Sequence, residues 1–208
     1  MRIDPTWDHS KTRNSATEIL TDSVDCEVMF HKDTERRVVT KVCLLDRHER
    51  AETEFDLEVQ VTAAASAADL GPRLIDAFKA MDSYGRRVGV IVSRMMTIEI
   101  PLRKVFANIE KHARGTKNGR VPSCGSAECA NDRFGLADAA ILGQTVRRFL
   151  EEVGLMHMDL NLDNVFMGRS QDGLAYFKFI DFGRVVPKGV MQEGFDIADY
   201  GWSKFSDP

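Results

Sequence analysis

Three polar side chains in the last third of the sequence are of types that bind divalent cations. Asp159 and Asn164 lie five residues apart in the string HMDLNLDN, and Asp181 begins the string DFG. Carboxylate and carboxamide oxygens are ligands that Mg²⁺ prefers in proteins, and a carboxylate can approach a polyphosphate only through such a cation. A nearby carboxylate can also orient an attacking hydroxyl group. Side chains of these types could bind a divalent cation and, through it, a polyphosphate.

A short hairpin is predicted to hold these side chains in place. Strands predicted over 165–168 and 175–180 flank a turn-forming string at 170–173. Asn164 directly precedes the first strand and Asp181 directly follows the second. An amphipathic helix is predicted over 136–153, ended by Gly154.

The first half of the chain is predicted to be rich in β-strands, with one helix. Strands are predicted over 18–26, 27–31, 36–45, 74–81 and 87–93, and helices over 51–70 and 102–112. These elements indicate the α+β class, with two lobes and a ligand cleft between them. We expect a loosely ordered segment at 1–17, an N-lobe at 18–93 and a reduced helical C-lobe at 94–208. A polar insertion at 114–133 belongs to the C-lobe.

Composition excludes several classes of function. The net charge of −4 gives no general attraction to nucleic acid or to an anionic membrane. No apolar run reaches the roughly 18 residues of a transmembrane helix, and the N-terminus lacks a signal-peptide core.

Cys124, Cys129 and His112 lack a fourth ligand at a zinc-like spacing, so free thiols are favoured over a metal site.

The order of elements and motifs resembles that of protein kinases, over about residues 18–205. HMDLNLDNV resembles the catalytic loop, DFG the metal-binding motif, and RRVVTK at 36–41 the strand that carries the phosphate-binding lysine. The resemblance implies a two-lobed kinase-like fold that binds ATP and Mg²⁺. It implies that Asp159 accepts or orients the proton of the acceptor hydroxyl, and that Asn164 and Asp181 bind Mg²⁺. His157 is expected to hydrogen-bond backbone near Asp181.

The same resemblance assigns an ion pair to the N-lobe. Lys41 would hold the α- and β-phosphates, and Glu58, 17 residues later, would be its partner. Glu58 shares a helical face with Phe55, Val59 and Thr62, where an unpaired carboxylate would be costly to bury. The alternative is a strand lysine that extends to solvent and a solvated glutamate. Rival partners for Lys41, one turn earlier on the helix, are Glu52 and Glu54.

Adenine is expected to contact apolar residues of both lobes. Val28 and Val39 would lie above the ring and Phe166 below it, against the connector from Ser93 to Met95. The alternative is that these apolar residues are ordinary core.

Several positions depart from the kinase pattern. The stretch aligned with the glycine-rich loop, LTDSVDCEV at 20–28, has no glycine, which favours a weak or inactive pseudokinase. Met158 replaces an arginine that pairs with a phosphorylated activation loop, so activity is expected not to need that phosphorylation. Asn161 replaces a lysine that contacts the γ-phosphate. Asp196 or Asp199 is expected to brace the catalytic loop.

In its small size the chain resembles the minimal kinase effectors that bacteria inject through type III secretion. Among these effectors, the resemblance is to the HopBF family. Only 25 residues follow Gly183 (208 minus 183), so we expect no peptide-binding platform. The family resemblance implies a monomeric serine/threonine kinase, secreted into the host cytoplasm, that acts on a host protein. That protein would be the ninety-kilodalton heat-shock chaperone. The insertion at 114–133 would either recognise the substrate or be a surface loop.

Two other functions stay open from the sequence. One is a pseudokinase scaffold that binds a host protein without transferring phosphate, which the missing glycines favour. The other is a small-molecule kinase of the aminoglycoside or choline type, although such enzymes carry a larger helical C-lobe.

Overall fold

The computed structural model of the chain describes residues 3–4, 17–21, 28–82, 84–116 and 134–187, and only the backbone at 3–4, 17–21, 28–31, 111–116 and 187. The chain divides into two compact units, Met1–Met95 and Met96–Pro208. Mostly antiparallel sheets and three α-helices make up the described residues, which confirms the predicted α+β class. No helix in these ranges is long and apolar enough to cross a membrane.

The first unit is built on a six-stranded sheet. Its strands are β1 (Ile3–Asp4), β2 (Thr17–Thr21), β3 (Val28–Asp33), β4 (Val38–Leu44), β5 (Leu74–Met81) and β6 (Arg87–Arg94). Their order is β1-β5-β6-β4-β3-β2, and only the β1–β5 pair is parallel. Branched residues dominate β4, as the pleated surface of a sheet favours. The Asp82 side chain closes the β5–β6 turn by accepting the N–H groups of Tyr84 and Arg86.

Helix α1 (Ala51–Ala67) packs against one face of this sheet. Phe55 lies in a buried cluster with Cys43, Leu45 and Ile91. The ring of Phe55 occupies the space that a Cβ atom on Gly89 would need. The opposite face of the sheet carries a second core cluster, formed by Val42, Phe78, Ala80, Val88 and Val90.

Ion pairs attach the first turns of α1 to the sheet and to the loop before the helix. Lys79 Nζ lies 2.6 Å from Glu52 Oε1 and 2.8 Å from Asp56 Oδ2. Arg87 contacts Glu52 at 2.6 Å, and Arg47 contacts the other acidic residue of the first turn, Glu54, at 2.7 Å. Together with buried Phe55, these contacts orient α1 on the sheet.

The second unit combines two helices with short strands. In chain order it contains β7 (Ile100–Pro101), α2 (Leu102–Thr116), α3 (Leu136–Arg148), a π-helical turn (Phe149–Val153), β8 (Leu155–His157), β9 (Val165–Arg169), β10 (Ala175–Phe179) and β11 (Val185–Pro187). The strands form a sheet of order β10-β9-β7 and a β11-β8 pair. Gly154, at φ 75°, takes the left-handed conformation that ends the helix.

Aromatic rings fill the centre of the second unit. Phe149 stacks on Phe182 with centroids 5.6 Å apart and planes at 6°, and it meets Phe179 edge-on. The His157 ring lies 5.4 Å from that of Phe182. The residue after Asp181 is therefore anchored in the core.

A bidentate ion pair joins α3 to the β9–β10 hairpin. Arg169 donates to both carboxylate oxygens of Asp138, at 2.7 and 3.0 Å. Asp138 also accepts the N–H of Gly135 and so caps α3. The hydrogen bond from Arg169 lowers the pKa of Asp138 below its usual value.

The helices and strands predicted from the sequence are of the observed type, but their first and last residues differ from the observed ones. The helix predicted over 51–70 ends at Ala67, the one over 102–112 continues to Thr116, and the one over 136–153 becomes π-helical at Phe149. Strands β7, β8 and β11 were not predicted, and β1 lies within the segment expected to be loosely ordered. Predictions on residues 22–27, on 117–133 with Cys124 and Cys129, and on Asp196 and Asp199 lie outside the described residues.

Candidate functional site

Lys41 and Glu58 form a buried ion pair in the first unit. Lys41 Nζ lies 2.5 Å from Glu58 Oε1, and the side chains are 10% and 7% exposed. Lys41 is on β4 opposite Ile91, and Glu58 follows Phe55 by one turn of α1. The ion pair predicted from the sequence is therefore present.

Glu52 and Glu54, the rival partners of Lys41, are paired with other basic side chains. Glu52 accepts hydrogen bonds from Lys79 and Arg87, which lower the pKa of its carboxyl group. Glu54 accepts a hydrogen bond from Arg47. The acidic side chains of α1 are thus divided among different basic partners, and Glu58 is the one that reaches Lys41.

Asn164 and Asp159 are joined directly in the second unit. Asn164 Nδ2 donates to the backbone oxygen of Asp159 at 2.8 Å and to Asp159 Oδ2 at 3.3 Å. Because the amide nitrogen faces Asp159, the amide oxygen Oδ1 is directed to the other side. That oxygen is the atom of Asn164 that could bind a cation.

Asn161 also contacts Asp159, which sequence reasoning missed. Its Nδ2 donates to Asp159 Oδ1 at 3.1 Å. Its Oδ1 accepts the backbone N–H groups of Asp163 and Asn164, at 2.9 and 3.2 Å. Each oxygen of the Asp159 carboxylate therefore accepts a hydrogen bond from a different amide, which fixes the plane of the carboxylate.

Asp181 lies beside this loop in an unusual backbone conformation. The N–H of Ile180 donates to the backbone oxygen of Asn164 at 3.0 Å, so the residue before Asp181 is held at the loop. His157 Nε2 lies 2.9 Å from the Ile180 oxygen, as the sequence predicted for a backbone contact near Asp181. Asp181 has φ 61°, which is uncommon for a residue other than glycine. Such outliers concentrate at functional sites.

Helix α2 supports the same loop from outside. Arg103 donates its backbone N–H to the oxygen of Leu162 at 3.0 Å and its Nε to Asp163 Oδ1 at 2.5 Å. The bond to Asp163 raises the pKa of Arg103. Since 60 residues separate the two in sequence, no local pattern could have indicated this contact.

The predicted adenine-contacting residues fall in both units. Val39 and Ser93 are opposite each other on β4 and β6, and both are half-buried. Met95, the last residue of the first unit, donates its N–H to the oxygen of Arg37. Val28 lies opposite Cys43 in the β3–β4 pair. Phe166 belongs to β9 of the second unit and is half-buried.

The chemistry of the donor set fits Mg²⁺. Asn164 and Asp181 offer a carboxamide and a carboxylate oxygen, both hard ligands. Across the described ranges, no group of three or more His, Cys, Asp or Glu side chains is gathered that could hold a metal ion. Two protein ligands suit an Mg²⁺ ion that retains waters and phosphate oxygens in its remaining positions.

Comparison with known proteins assigns no family to the chain. No protein-family model matches the sequence, and neither does any curated protein.

Proposed function

We propose that this protein is an ATP-dependent protein kinase of serine/threonine type, with a kinase-like fold. The observation that carries the proposal is the network in which Asn161 and Asn164 fix the carboxylate of Asp159, next to Asp181. Asp82 and Asp138 are also bonded at both oxygens, but their partners include arginines, whereas Asp159 is held by neutral amides and keeps its charge uncompensated by a cation among the hydrogen bonds of the described residues. The buried Lys41–Glu58 pair in the other unit supports the same chemistry, because a kinase uses such a lysine at the phosphates.

Each side chain has a role in the proposed transfer. The acceptor hydroxyl oxygen forms a bond to the γ-phosphorus of ATP, the bond from that phosphorus to ADP breaks, and the hydroxyl proton goes to Asp159. Asn164 and Asp181 would hold Mg²⁺, which neutralises charge on the phosphates when it is bound. Lys41, oriented by Glu58, donates hydrogen bonds to phosphate oxygens.

The biological setting of the proposal comes from the sequence motifs. Their resemblance to minimal type III effector kinases of the HopBF kind supports a monomer that enters the host cytoplasm and phosphorylates a host protein. The ninety-kilodalton heat-shock chaperone is the proposed substrate.

A pseudokinase scaffold is the second candidate. The stretch at 20–28 has no glycine and carries Asp22, Asp25 and Glu27, whose charges repel phosphate. A scaffold would bind a host protein and transfer nothing.

Phosphate transfer and nucleotide binding separate the two candidates. We expect purified protein with ATP labelled at the γ-phosphate and Mg²⁺ to label a protein in host lysate. Asp159→Asn and Asp181→Asn should each reduce labelling at least about a hundredfold. Asparagine tolerates the positive φ of Asp181, so the second change removes charge while keeping the backbone conformation. Glu151→Gln, at an exposed position of the π-helical turn, is the matched control.

A thermal melt provides the second arm of the test. ATP with Mg²⁺ should raise the melting temperature of the wild-type protein, because a ligand that binds the native state stabilises it. No shift at millimolar nucleotide, together with no labelling, would support the scaffold. Labelling that both Asp variants retain would contradict the assignment of the site.

A further inference from the structure

Three arginines meet at one corner of the sheet in the first unit. Arg94 ends β6 and donates its N–H to the oxygen of Arg73 at 2.8 Å, while the next residue, Met95, donates to the oxygen of Arg37 at 2.8 Å. Neighbouring strands lie about 5 Å apart, so the backbones of the three residues fall within about 10 Å. All three residues are exposed. We call Arg37, Arg73 and Arg94 the arginine corner.

The arginine corner differs from most other basic residues of its unit, and within the described residues it shares the lack of an ion pair with the isolated Arg50. Ion pairs with carboxylates are made by Lys41, Arg47, Lys79, Arg86 and Arg87, and a longer one by Arg36. In the described part of the unit, Arg37, Arg73 and Arg94 form no ion pair. The whole chain carries more acidic than basic residues, 32 against 28, so carboxylates are not scarce. Three arginines with neighbouring backbones are nevertheless left without one in the described part of the chain.

Arg37 adds a second unusual feature at the same place. Its φ of 54° lies in the left-handed region, where glycine or asparagine is favoured over a long side chain. The turn between β3 and β4 would accept a smaller residue with less strain. An arginine occupies this position although the backbone conformation does not favour it.

We propose that the arginine corner binds an acidic, extended segment of a partner protein. Guanidinium groups match carboxylates in geometry as well as in charge. Alternate side chains of an extended peptide lie about 7 Å apart on one face, so two or three carboxylates span the corner.

The size of the corner favours a peptide over larger anionic partners. Lipid headgroup recognition commonly uses four to eight clustered basic residues, and nucleic-acid affinity grows with the number of phosphates neutralised. Three arginines on a chain of net charge −4 fall short of both. Exposed ion pairs are individually weak and are screened by salt, so the complex is transient and sensitive to ionic strength.

The test uses the full chain and a defined probe, and it does not depend on phosphate transfer. A fluorescein-labelled peptide of about ten alternating aspartates and serines is titrated with protein at about 20 mM NaCl, and anisotropy is measured. We expect saturable binding that weakens at least about tenfold at 300 mM NaCl. The variant Arg37→Asn/Arg73→Gln/Arg94→Gln should weaken binding at least about tenfold. Asparagine suits the backbone of position 37.

Arg50 supplies the matched control. It is exposed, forms no ion pair within the described ranges, and lies at the start of α1. Arg50→Gln should change the dissociation constant less than about twofold. Circular dichroism checks that the triple variant is folded. If the triple variant is not folded, the single variants Arg73→Gln and Arg94→Gln test the proposal instead. Each is expected to weaken binding of the peptide about twofold or more.

Two results would overturn the proposal. One is equal binding of the peptide by the wild type and the triple variant, or no binding at all. The other is tighter binding of a short thymidine oligonucleotide or of phosphatidylserine vesicles that is lost in the triple variant. In that case the corner recognises a different class of partner.

Discussion

Asn161 Nδ2 donates a hydrogen bond to Asp159 Oδ1 at 3.1 Å, while the oxygen of the same amide holds two backbone N–H groups. The two ends of one side chain thus have separate tasks. The nitrogen orients the carboxylate, and the oxygen closes the loop as an Asx turn. In the kinase pattern this position is a lysine that contacts phosphate.

Substitution of Asn161 can separate these two tasks. Aspartate keeps the acceptor for the loop, but it replaces the donor to Asp159 by a carboxylate oxygen, which repels that side chain. We therefore expect Asn161→Asp to reduce kcat for phosphate transfer by about tenfold or more. The melting temperature should also fall, because the new carboxylate lies against that of Asp159 and the two like charges repel each other. Asn161→Ala should also destabilise the protein, by about 1 kcal/mol, because two backbone donors lose their acceptor.

Steady-state kinetics and thermal melts check this prediction. Gln144→Glu makes the same amide-to-carboxylate change at an exposed position of α3 and should alter neither quantity. An Asn161→Asp enzyme with wild-type kcat would show that the contact to Asp159 has no part in transfer. If the wild-type protein transfers no phosphate, the result would instead contradict the proposed kinase function.

Substitution of the Lys41–Glu58 pair should separate stability from activity, because the second change should recover stability and leave activity lost. Lys41→Met leaves a buried carboxylate without its cation, which should reduce the free energy of unfolding by about 3–5 kcal/mol. Adding Glu58→Leu removes that charge and should recover most of the stability. Activity should be lost in both variants. Urea unfolding measured beside phosphate transfer makes the comparison, and a double variant no more stable than Lys41→Met would argue against charge burial as the cause.

The Asp138–Arg169 pair predicts how stability depends on pH. The hydrogen bond from Arg169 lowers the pKa of Asp138 in the folded protein. The pair's contribution is therefore complete above the unfolded carboxyl pKa of about 3.9 and is lost as the pH falls toward the lower folded value. At neutral pH, Asp138→Asn should cost about 2 kcal/mol.

Chemical denaturation at a series of pH values tests this dependence. The difference between wild type and Asp138→Asn should be constant above about pH 5 and should shrink below about pH 4. A difference that grows on acidification would have the wrong sign for a lowered pKa.

Gly89 predicts a steric effect in the core. A Cβ atom there would overlap the ring of Phe55, which is 2% exposed. Since a buried ring has little room to move, Gly89→Ala should destabilise the protein by about 1–3 kcal/mol. Combining it with Phe55→Leu should restore part of that loss. Gly143→Ala, on α3, is the control: a Cβ atom there would meet open space, so the change should be neutral or stabilising.

Sequence reasoning found the parts of the candidate site that local strings determine. The position of Asn164 before β9, the backbone contact of His157 and the Lys41–Glu58 pair were all predicted, because each follows from a motif or from helical spacing. The kinase-like fold stays a prediction.

The missed features depend on long-range contacts or on very short elements. Asn161 was interpreted only as the loss of a lysine, since its bond to Asp159 requires the turn geometry of the folded loop. Arg103 contacts Asp163, which lies 60 positions away in the sequence, and Lys79 contacts Glu52, which lies 27 positions away. Strands of two or three residues, such as β7, are too short to show any periodicity.

The ion pairs of α1 have a consequence for how Glu58 can move. Turning the helix by one residue changes its azimuth by about 100° and would separate Glu52, Glu54 and Asp56 from their cations together with Glu58 from Lys41. Each of these outer pairs is partly exposed and individually weak, but a rotation of the helix strains all of them together. Displacement of Glu58 from Lys41 by a turn of α1 is therefore opposed by contacts that Glu52 and Glu54 make more than one helical turn away from the buried pair.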